Sequence, residues 1–348
     1  MKKSRFLLYT TLFALLFTSC GKTDFSVNSP KREEVTIVYG LLDPDATVHY
    51  IKIYKGFLTE GSAYEAAKDP HYYSYLDSIS VQMEEYKGEK LVRTIPFDTS
   101  TAIPKDSGLF AYPEQCLYRA NAKLNTDYRY RLRIENRYTG KIVTAETELV
   151  GDIYITYPWL NSGKEITFPE SDLQIKYKNR SGVSPACYEA LFSYYYTEEL
   201  ADGSKRQGKP VDWYVGKDFN NQPRMSIPYH GESFYRKIAE GIKTDPAVRA
   251  RHTNSIVLTL YNGGSDLLKY IQASSIGTGM NQEKIGYTNL HSYASEADWK
   301  AGMEDRNGIG IFSSKGVKKA VFRDLSIVSR DSLFYGRYTK HLKFTDVY

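Results

Sequence analysis

An excess of charge of either sign is missing from this sequence. Its 348 residues carry 46 Lys and Arg against 41 Asp and Glu, a formal net charge of +5. Lys2, Lys3 and Arg5 precede the first apolar run, and removing these three from the 46 leaves 43 against 41, or about +2. Proteins that bind nucleic acid usually carry a strongly basic patch. We therefore expect no nucleic-acid partner.

Long hydrophobic runs are also missing, apart from one near the N-terminus. That run extends from Phe6 to Phe17. It is about a dozen residues long, whereas a membrane-spanning helix needs about 20. Basic residues before a short apolar run are typical of a secretory signal peptide. We predict a cleaved signal peptide over residues 1–19 and no transmembrane helix there.

The first of only three cysteines ends this run. The stretch LLFTSCGK places Cys20 after Thr18 and Ser19, and it resembles the lipobox of bacterial lipoproteins. In that class the cysteine sulfur forms a thioether to diacylglycerol, palmitate is added, and the chain is cut just before the cysteine. The resemblance implies lipid attachment at Cys20 and a lipidated tether over residues 20–33, because several acyl chains hold a protein on a membrane. An ordinary signal peptide with a chance cysteine is the alternative.

The two remaining cysteines leave two interpretations open. Cys116 and Cys187 could form a disulfide in an exported protein. Their separation, across two predicted domains, is equally consistent with two buried free thiols.

Residue spacings that hold a metal or perform catalysis are missing. The six histidines stand singly, without metal-ligand spacing: His49, His71, His230, His252, His291 and His341. The nearest approaches to a G-x-S-x-G nucleophile motif, around Ser233 and Ser265, lack the second glycine and fit helix N-caps. The stretch GTGMNQ lacks the third glycine and the lysine of a phosphate loop. We expect no metal, no cofactor and no catalytic residue; a hydrolase assembled from distant residues is an alternative.

Tyrosine, in contrast, is abundant, with 31 residues. It favours half-buried strand surfaces and also forms contact patches. The aromatic clusters are Tyr157 with Trp159, Tyr194 to Tyr196, and Trp213 with Tyr214. Because side chains alternate along a strand, Tyr194 and Tyr196 share one face and Tyr195 takes the other. We favour the core for most of these rings; exposed rings that bind a glycan or a protein are the alternative.

Residues 34–150 show the alternation that is typical of β-strands. EVTIVYG and VHYIKIY predict one hairpin, and a second hairpin turns at Lys87-Gly88. Between them, Ser62 and Glu65 form a capping box, and Pro70 is expected to end a short helix. The clearest strand places Tyr128, Tyr130, Leu132 and Ile134 on one face, places Arg129, Arg131 and Arg133 on the other, and turns at Thr139-Gly140. We expect the arginine face to be solvated.

Short strands at this spacing predict a β-sandwich over residues 34–150. The stretch NTDYRYRL also resembles the beginning of a strand in fibronectin type III domains, where Tyr128 takes the tyrosine-corner position. We carry over from this resemblance only the architecture, a fibronectin/Ig-like sandwich.

Residues 151–348 predict a second β-rich domain that carries about two helices. Phe234, Ile238 and Ile242 recur at helical spacing, which predicts a helix near 232–243. A cap at Ser265, followed by an apolar stripe from Leu267, predicts another near 265–275. The fold class is therefore mainly β, of the α+β kind.

Several motifs together resemble a family of uncharacterised outer-membrane lipoproteins of Bacteroidota. They are the lipobox, the T-G-K turn in TGKIVTAETEL, the helix pattern LLKYIQAS, the stretch YTNL and the closing NGIGIFSS. Members of that family are classed as a domain of unknown function, and their genes often lie near the genes of TonB-dependent receptors. The resemblance implies no catalytic residue. In the last motif, Gly308 and Gly310 indicate a strand that another backbone or a bulky side chain approaches closely.

These observations combine into a hypothesis of function. We expect a non-enzymatic outer-membrane lipoprotein, facing the cell surface, that acts as an accessory or binding subunit of an outer-membrane β-barrel complex for TonB-dependent transport, secretion or assembly. Its partners would be the membrane, through the lipid, and the barrel, with a glycan or peptide as a further ligand. The alternatives are a glycan-binding, adhesive or fimbrial-anchor surface module, and a position on the periplasmic face.

Overall fold

The structure is a computed structural model that describes residues 34–56, 62–158, 165–219, 225–275 and 286–345. The predicted signal peptide, the tether and Cys20 lie outside the described residues, as do Trp159 and GTGMNQ. Residues Val35–Tyr348 form one compact unit. The unit is mainly β and sandwich-like, with 50% of residues in strands and 17% helical, which confirms the predicted fold class.

The described residues of the first half include seven strands, two one-turn α-helices and a short 3-10 helix at Leu76–Ser78. The strands are β1 Thr36–Leu42, β2 Val48–Lys55, β3 Ile79–Lys87, β4 Lys90–Ser100, β5 Leu117–Asn121, β6 Arg129–Asn136 and β7 Ile142–Glu148, and the helices are α1 Ala63–Ala66 and α2 Pro70–Tyr73. Ser62 caps α1 as predicted, because its side chain accepts a hydrogen bond from the Glu65 N–H. Pro70, predicted to end a helix, instead occupies the first turn of α2. Proline fits there because the first helical N–H needs no intrahelical partner.

The second half contains the remaining strands and four helices among the described residues. The strands are β8 Ile153–Tyr157, β9 Glu165–Ile166, β10 Asp172–Asn179, β11 Cys187–Leu200, β12 Lys205–Gln207, β13 Val211–Asp218, β14 Met225–His230, β15 Val248–Gly263, β16 Leu290–Tyr293, β17 Gly308–Phe322 and β18 Asp324–Leu325. The helices are α3 Glu232–Gly241, α4 Ser265–Ser275, α5 Glu296–Ala301 and α6 Ile327–Tyr335. Two of these helices, α3 and α4, lie where the apolar spacing predicts them.

One sheet of 13 strands runs through both halves, in the order β12-β11-β15-β17-β1-β2-β5-β4-β3-β6-β7-β16, with β13 beside β11. The long strand β17 links the halves: Gly308–Ser314 pairs in parallel with β1, and Lys315–Phe322 pairs with β15. The strand β4 pairs with β3 along most of its length and with β5 at its end, so it joins two layers. A smaller sheet, β14-β10-β8, packs in the second half.

The described residues of the unit form two hydrophobic cores. The first lies between the layers of the first half and includes Val38, Ile51, Val81, Leu132 and Phe312. The second lies between the smaller sheet and β11, β13 and β15, and includes Phe168, Phe192, Ile227 and Phe234. Because the 13-stranded sheet continues from one core to the other, the predicted division at residue 150 remains a prediction.

A tyrosine corner is present in the first half, but on a different residue from the one that the fibronectin resemblance places there. The hydroxyl of Tyr130 accepts a hydrogen bond from the backbone N–H of Asn125 at 2.6 Å and donates to Glu85 Oε1 at 2.7 Å. Tyr128, which the resemblance places in this position, is only partly buried. Tyr130 takes the role because it lies on the core face of β6, where a tyrosine hydroxyl needs a partner.

Candidate functional site

The aromatic clusters that stand out in the sequence belong mostly to the core. Tyr194, Tyr196 and Trp213 are 1%, 4% and 6% exposed. Tyr195 and Tyr214 take the opposite side of their strands and are exposed. This confirms the alternation argument.

The sequence motifs near the C-terminus meet around Asn289. Its side chain donates to the carbonyl oxygen of Phe312 at 2.7 Å, accepts from the Phe312 N–H at 3.0 Å, and donates to the Glu146 carbonyl oxygen at 3.3 Å. Tyr287 of the same YTNL stretch donates to Asp266 of α4 at 2.6 Å. The motifs therefore join β7, β17 and α4, which is a structural role.

An aromatic groove lies on the first half, and no sequence motif indicated it. Its wall consists of Tyr54 from β2, Tyr73 from α2, Phe110 from the loop before β5, and the half-buried Cys116. The Tyr73 and Phe110 rings meet edge to face, with centroids 5.1 Å apart, and Tyr54 lies 6.5 Å from Phe110. The groove has a volume of about 170 Å³.

Backbone hydrogen bonds hold the loop that carries Phe110 over the groove. The Ala111 N–H donates to the carbonyl oxygen of Ala67 at 3.1 Å, so the loop is fixed to the end of α1. The Lys105 N–H donates to the carbonyl oxygen of Pro113 at 2.7 Å, which closes the loop on itself. Buried polar backbone atoms are expected to be paired in this way. The groove is therefore a defined part of the fold.

Two lysines flank the aromatic wall. Lys105 Nζ lies 4.9 Å from the centroid of Phe110, and Lys52 Nζ lies 5.8 Å from that of Tyr54. Burial and the nearby charge of Lys52 lower the pKa of Lys105 below its usual value. Glu114 is the acidic side chain among the described lining residues. The groove therefore combines an apolar wall with two positive charges and one negative charge.

The aromatic surface continues beyond the groove across the open face of β1 and β2. Ile37, Tyr39 and Leu41 point away from the core that Val38 and Leu42 enter, so both faces of β1 carry apolar residues. The Tyr39 ring lies 6.1 Å from Tyr54, at 32° between planes. Tyr270 of α4 meets Tyr39 edge to face, at 6.3 Å. Burial raises the pKa of Tyr270 to about 12, and its hydrogen bond with Tyr39 adds to this.

Three exposed apolar residues lie next to groove residues in the chain, and we call them the rim. Tyr72, Leu109 and Tyr112 are 45%, 52% and 60% exposed, and each is a chain neighbour of a groove residue. Leu76, which lines the groove, is also exposed. Large exposed apolar side chains near an apolar groove are a feature of many binding surfaces.

The arginine face of β6 is covered more than the sequence predicted. Its three arginine side chains are 16–27% exposed. Arg131 donates to Glu146 at 2.6 Å, and the Arg133 guanidinium lies 5.0 Å from the Trp299 ring. Burial alone would raise the pKa of Glu146, but hydrogen bonds from Arg131 and Arg129 outweigh it and hold this pKa below its usual value.

A polar cleft of about 650 Å³ opens beside the arginine face of β6. Its lining includes Arg131, Glu146, His291, Trp299 and Glu304. His291 Nδ1 lies 2.8 Å from Glu304, and Trp299 is half-buried. Trp213, the other tryptophan within the described part of the chain, lies in the second core.

The described residues include two free thiols and no cluster of metal ligands. Among them no group of three or more His, Cys, Asp or Glu side chains could hold a metal ion. Cys116 and Cys187 are both free thiols. None of the described helices is long and apolar enough to cross a membrane.

Comparisons with known proteins contribute no functional assignment. No protein-family model and no curated protein matches the chain. Among solved structures, the chain is similar to the C-terminal globular domain of oligosaccharyltransferase from Pyrococcus abyssi, with 11% sequence identity and a TM-score of 0.22. The match covers 64% of this chain and 43% of that one, so this chain spans less than half of its length. A similarity of this size carries no argument.

Proposed function

We propose that this chain is a non-enzymatic binding subunit, anchored to the outer membrane through Cys20, that contacts a protein partner through the aromatic groove. The observation that carries the proposal is the groove lined by three rings, Tyr54, Tyr73 and Phe110, with exposed apolar residues next to groove residues in the chain. Aromatic residues in desolvated pockets, surrounded by residues that exclude water, dominate the binding energy of protein interfaces. The groove supplies the aromatic residues for such a contact.

The partner class follows from the predicted tether. Fifteen residues, 21–35, separate Cys20 from β1, and an extended chain reaches at most about 3.3–3.6 Å per residue. The beginning of β1 would therefore stay within roughly 54 Å of the membrane surface. A protein in the same membrane is the partner that such a tether favours, and we propose an outer-membrane β-barrel that serves TonB-dependent transport, secretion or assembly. A position on the cell surface belongs to the same proposal.

Co-purification from detergent-solubilised membranes tests this function. The wild type should recover one barrel protein at near-equal stoichiometry. Leu109→Asp, which puts a charge into the apolar rim, should reduce the recovery at least about tenfold, since burying an unpaired charge is costly. Ile327→Asp is the matched control, because Ile327 is 67% exposed at the beginning of α6 and lines no part of the groove.

Two results would contradict the proposal. One is the recovery of no barrel protein by the wild type. The other is equal recovery of the barrel protein by Leu109→Asp and the wild type. The comparison requires that Leu109→Asp and Ile327→Asp melt at the wild-type temperature.

A second candidate function, glycan binding, is favoured by the cleft at Trp299. Sugar sites combine an aromatic ring with convergent hydrogen-bonding groups, and Arg131, Glu146 and His291 provide such groups beside the ring. The cleft has a single tryptophan rather than several coplanar rings, so this function ranks second. A glycan array that shows a ligand for the wild type and none for Trp299→Ala would support it, and an array without any ligand would contradict it.

A further inference from the structure

The size of the groove limits what can enter it. Sites for whole small-molecule ligands usually measure about 300–1,000 Å³, whereas this groove has about 170 Å³. An apolar cavity of roughly 150 Å³ accommodates one benzene molecule. The groove therefore has room for one ring or one branched apolar side chain, and the rest of the bound molecule must lie on the rim.

The charges beside the groove limit the chemistry of that molecule. Among the described residues, no acidic side chain forms an ion pair with Lys52 or Lys105. The positive charge of Lys52 helps to lower the pKa of Lys105. Glu114 supplies one negative charge against these two positive ones. An anionic group next to the inserted side chain would therefore gain a favourable interaction, and a cationic group would be repelled.

We infer that the groove binds a short polypeptide segment of a partner, in which one bulky apolar side chain packs against Tyr73 and Phe110 and an adjacent Asp or Glu pairs with Lys52 and Lys105. This inference rests on the proposed function and specifies the chemistry of the partner. The rim residues Tyr72, Leu109 and Tyr112 cover the backbone on either side of the inserted residue.

The lining of the groove favours a polypeptide over the other ligand classes. A glycan needs convergent hydrogen-bonding groups, but the groove wall consists largely of rings and aliphatic atoms such as those of Pro70 and Leu76. An alternation of apolar and acidic groups at short spacing is a property of polypeptide chains. Binding of a glycan, or of anionic lipid vesicles, would therefore count against the inference.

A random-peptide phage library provides the test. The bait is the full chain anchored in lipid nanodiscs, so that no free detergent occupies the groove. We expect enrichment of sequences with an aromatic or branched apolar residue beside Asp or Glu. A synthetic fluorescent peptide with the enriched sequence then measures affinity by anisotropy.

Three variants separate the contributions to affinity. Phe110→Ala should weaken the peptide at least about tenfold, as expected for a central aromatic contact. Lys52→Gln with Lys105→Gln should weaken it about three- to tenfold and reduce its salt dependence. Lys90→Gln, which removes a positive charge from an exposed position at the beginning of β4, should leave affinity unchanged.

Alkylation of Cys116 provides a readout that does not depend on any variant. Cys116 lines the groove, so a bound peptide should slow its reaction with iodoacetamide at least about threefold. An enriched peptide that leaves this rate unchanged would place binding elsewhere.

The inference is wrong if no peptide is enriched, if the enriched peptides are basic, or if the groove variants bind like the wild type. Failure of the proposed function looks different. A barrel protein that is recovered while no such peptide is selected would overturn only the inference. A selected peptide without any barrel partner would overturn the proposed partner class and leave the inference in place.

Discussion

Gly310 of β17 lies so close to β1 that a Cβ atom on it would come within 2.0 Å of the carbonyl oxygen of Val38. Gly310 also has φ at +113°, a conformation that residues with a side chain rarely adopt. The parallel pairing of Val38 with Gly310 belongs to the strand that joins the two halves. The predicted close approach in NGIGIFSS is therefore confirmed.

Gly310→Ala should lower the free energy of unfolding by about 3 kcal/mol or more, because strained backbone and overpacking add. The control is Gly88→Ala, in the turn between β3 and β4. Gly88 has φ at +59°, and nothing lies within 4 Å of its added Cβ, so about 1–2 kcal/mol is expected. Urea unfolding curves measure both values. If Gly310→Ala and Gly88→Ala lose the same free energy of unfolding, the close approach to Val38 contributes nothing to the loss.

The buried pair of Arg251 and Glu198 carries a second prediction. Arg251 is 1% exposed, and its Nε and Nη2 donate to Glu198 Oε1 at 3.0 and 2.8 Å. Glu198→Gln leaves a buried guanidinium without its counter-charge and should cost about 3–5 kcal/mol.

Glu240→Gln is the matched control for that substitution. It removes an exposed pair with Lys237 within α3, which should cost less than about 1 kcal/mol. Thermal melting of the two variants makes the comparison. If Glu198→Gln is as stable as Glu240→Gln, the ion pair between Glu198 and the buried Arg251 does not stabilise the fold, and the prediction is wrong.

The two free thiols should differ in reactivity. Cys187 is 7% exposed, and burial raises its pKa to about 11, so at pH 8 about one thiol in a thousand is ionised. Burial also raises the pKa of Cys116, but Cys116 is more exposed and lines the groove. Native chains treated with iodoacetamide should be modified at Cys116 first, and at Cys187 only after unfolding. Mass spectrometry that finds a Cys116–Cys187 disulfide would contradict this expectation.

Cys20 carries the prediction that concerns the membrane. Cys20→Ala removes the sulfur to which the lipid would attach and leaves residues 34–348 unchanged, so the exported variant should lose membrane attachment and keep its fold. Stable anchoring takes more than one acyl chain, so loss of the whole lipid group should release the protein. Cell fractionation and labelling with a palmitate analogue measure this.

Four outcomes of that experiment are informative. Wild type without label, or a processed Cys20→Ala variant that stays membrane-bound, would show that the lipoprotein prediction is wrong. Protease treatment of intact cells distinguishes the two faces of the outer membrane: digestion of the wild type supports the cell surface, and resistance supports the periplasmic side.

The sequence by itself determined the features that depend on neighbouring residues. Alternation along β6 predicted that Tyr130, Leu132 and Ile134 are buried, because successive side chains of a strand take opposite faces. The turns at Gly88 and Gly140 were predicted correctly, since both residues have positive φ. The Ser62 cap also follows from local chemistry.

Tertiary structure alone decided features in which two faces or distant segments compete. Both faces of β1 carry apolar residues, so alternation could not show that Val38 enters the core while Tyr39 joins the open aromatic surface. The aromatic groove brings Tyr54, Tyr73 and Phe110 together from three separate elements. Spacing along the chain cannot predict such a site, because its residues meet only after β2, α2 and the loop before β5 have packed.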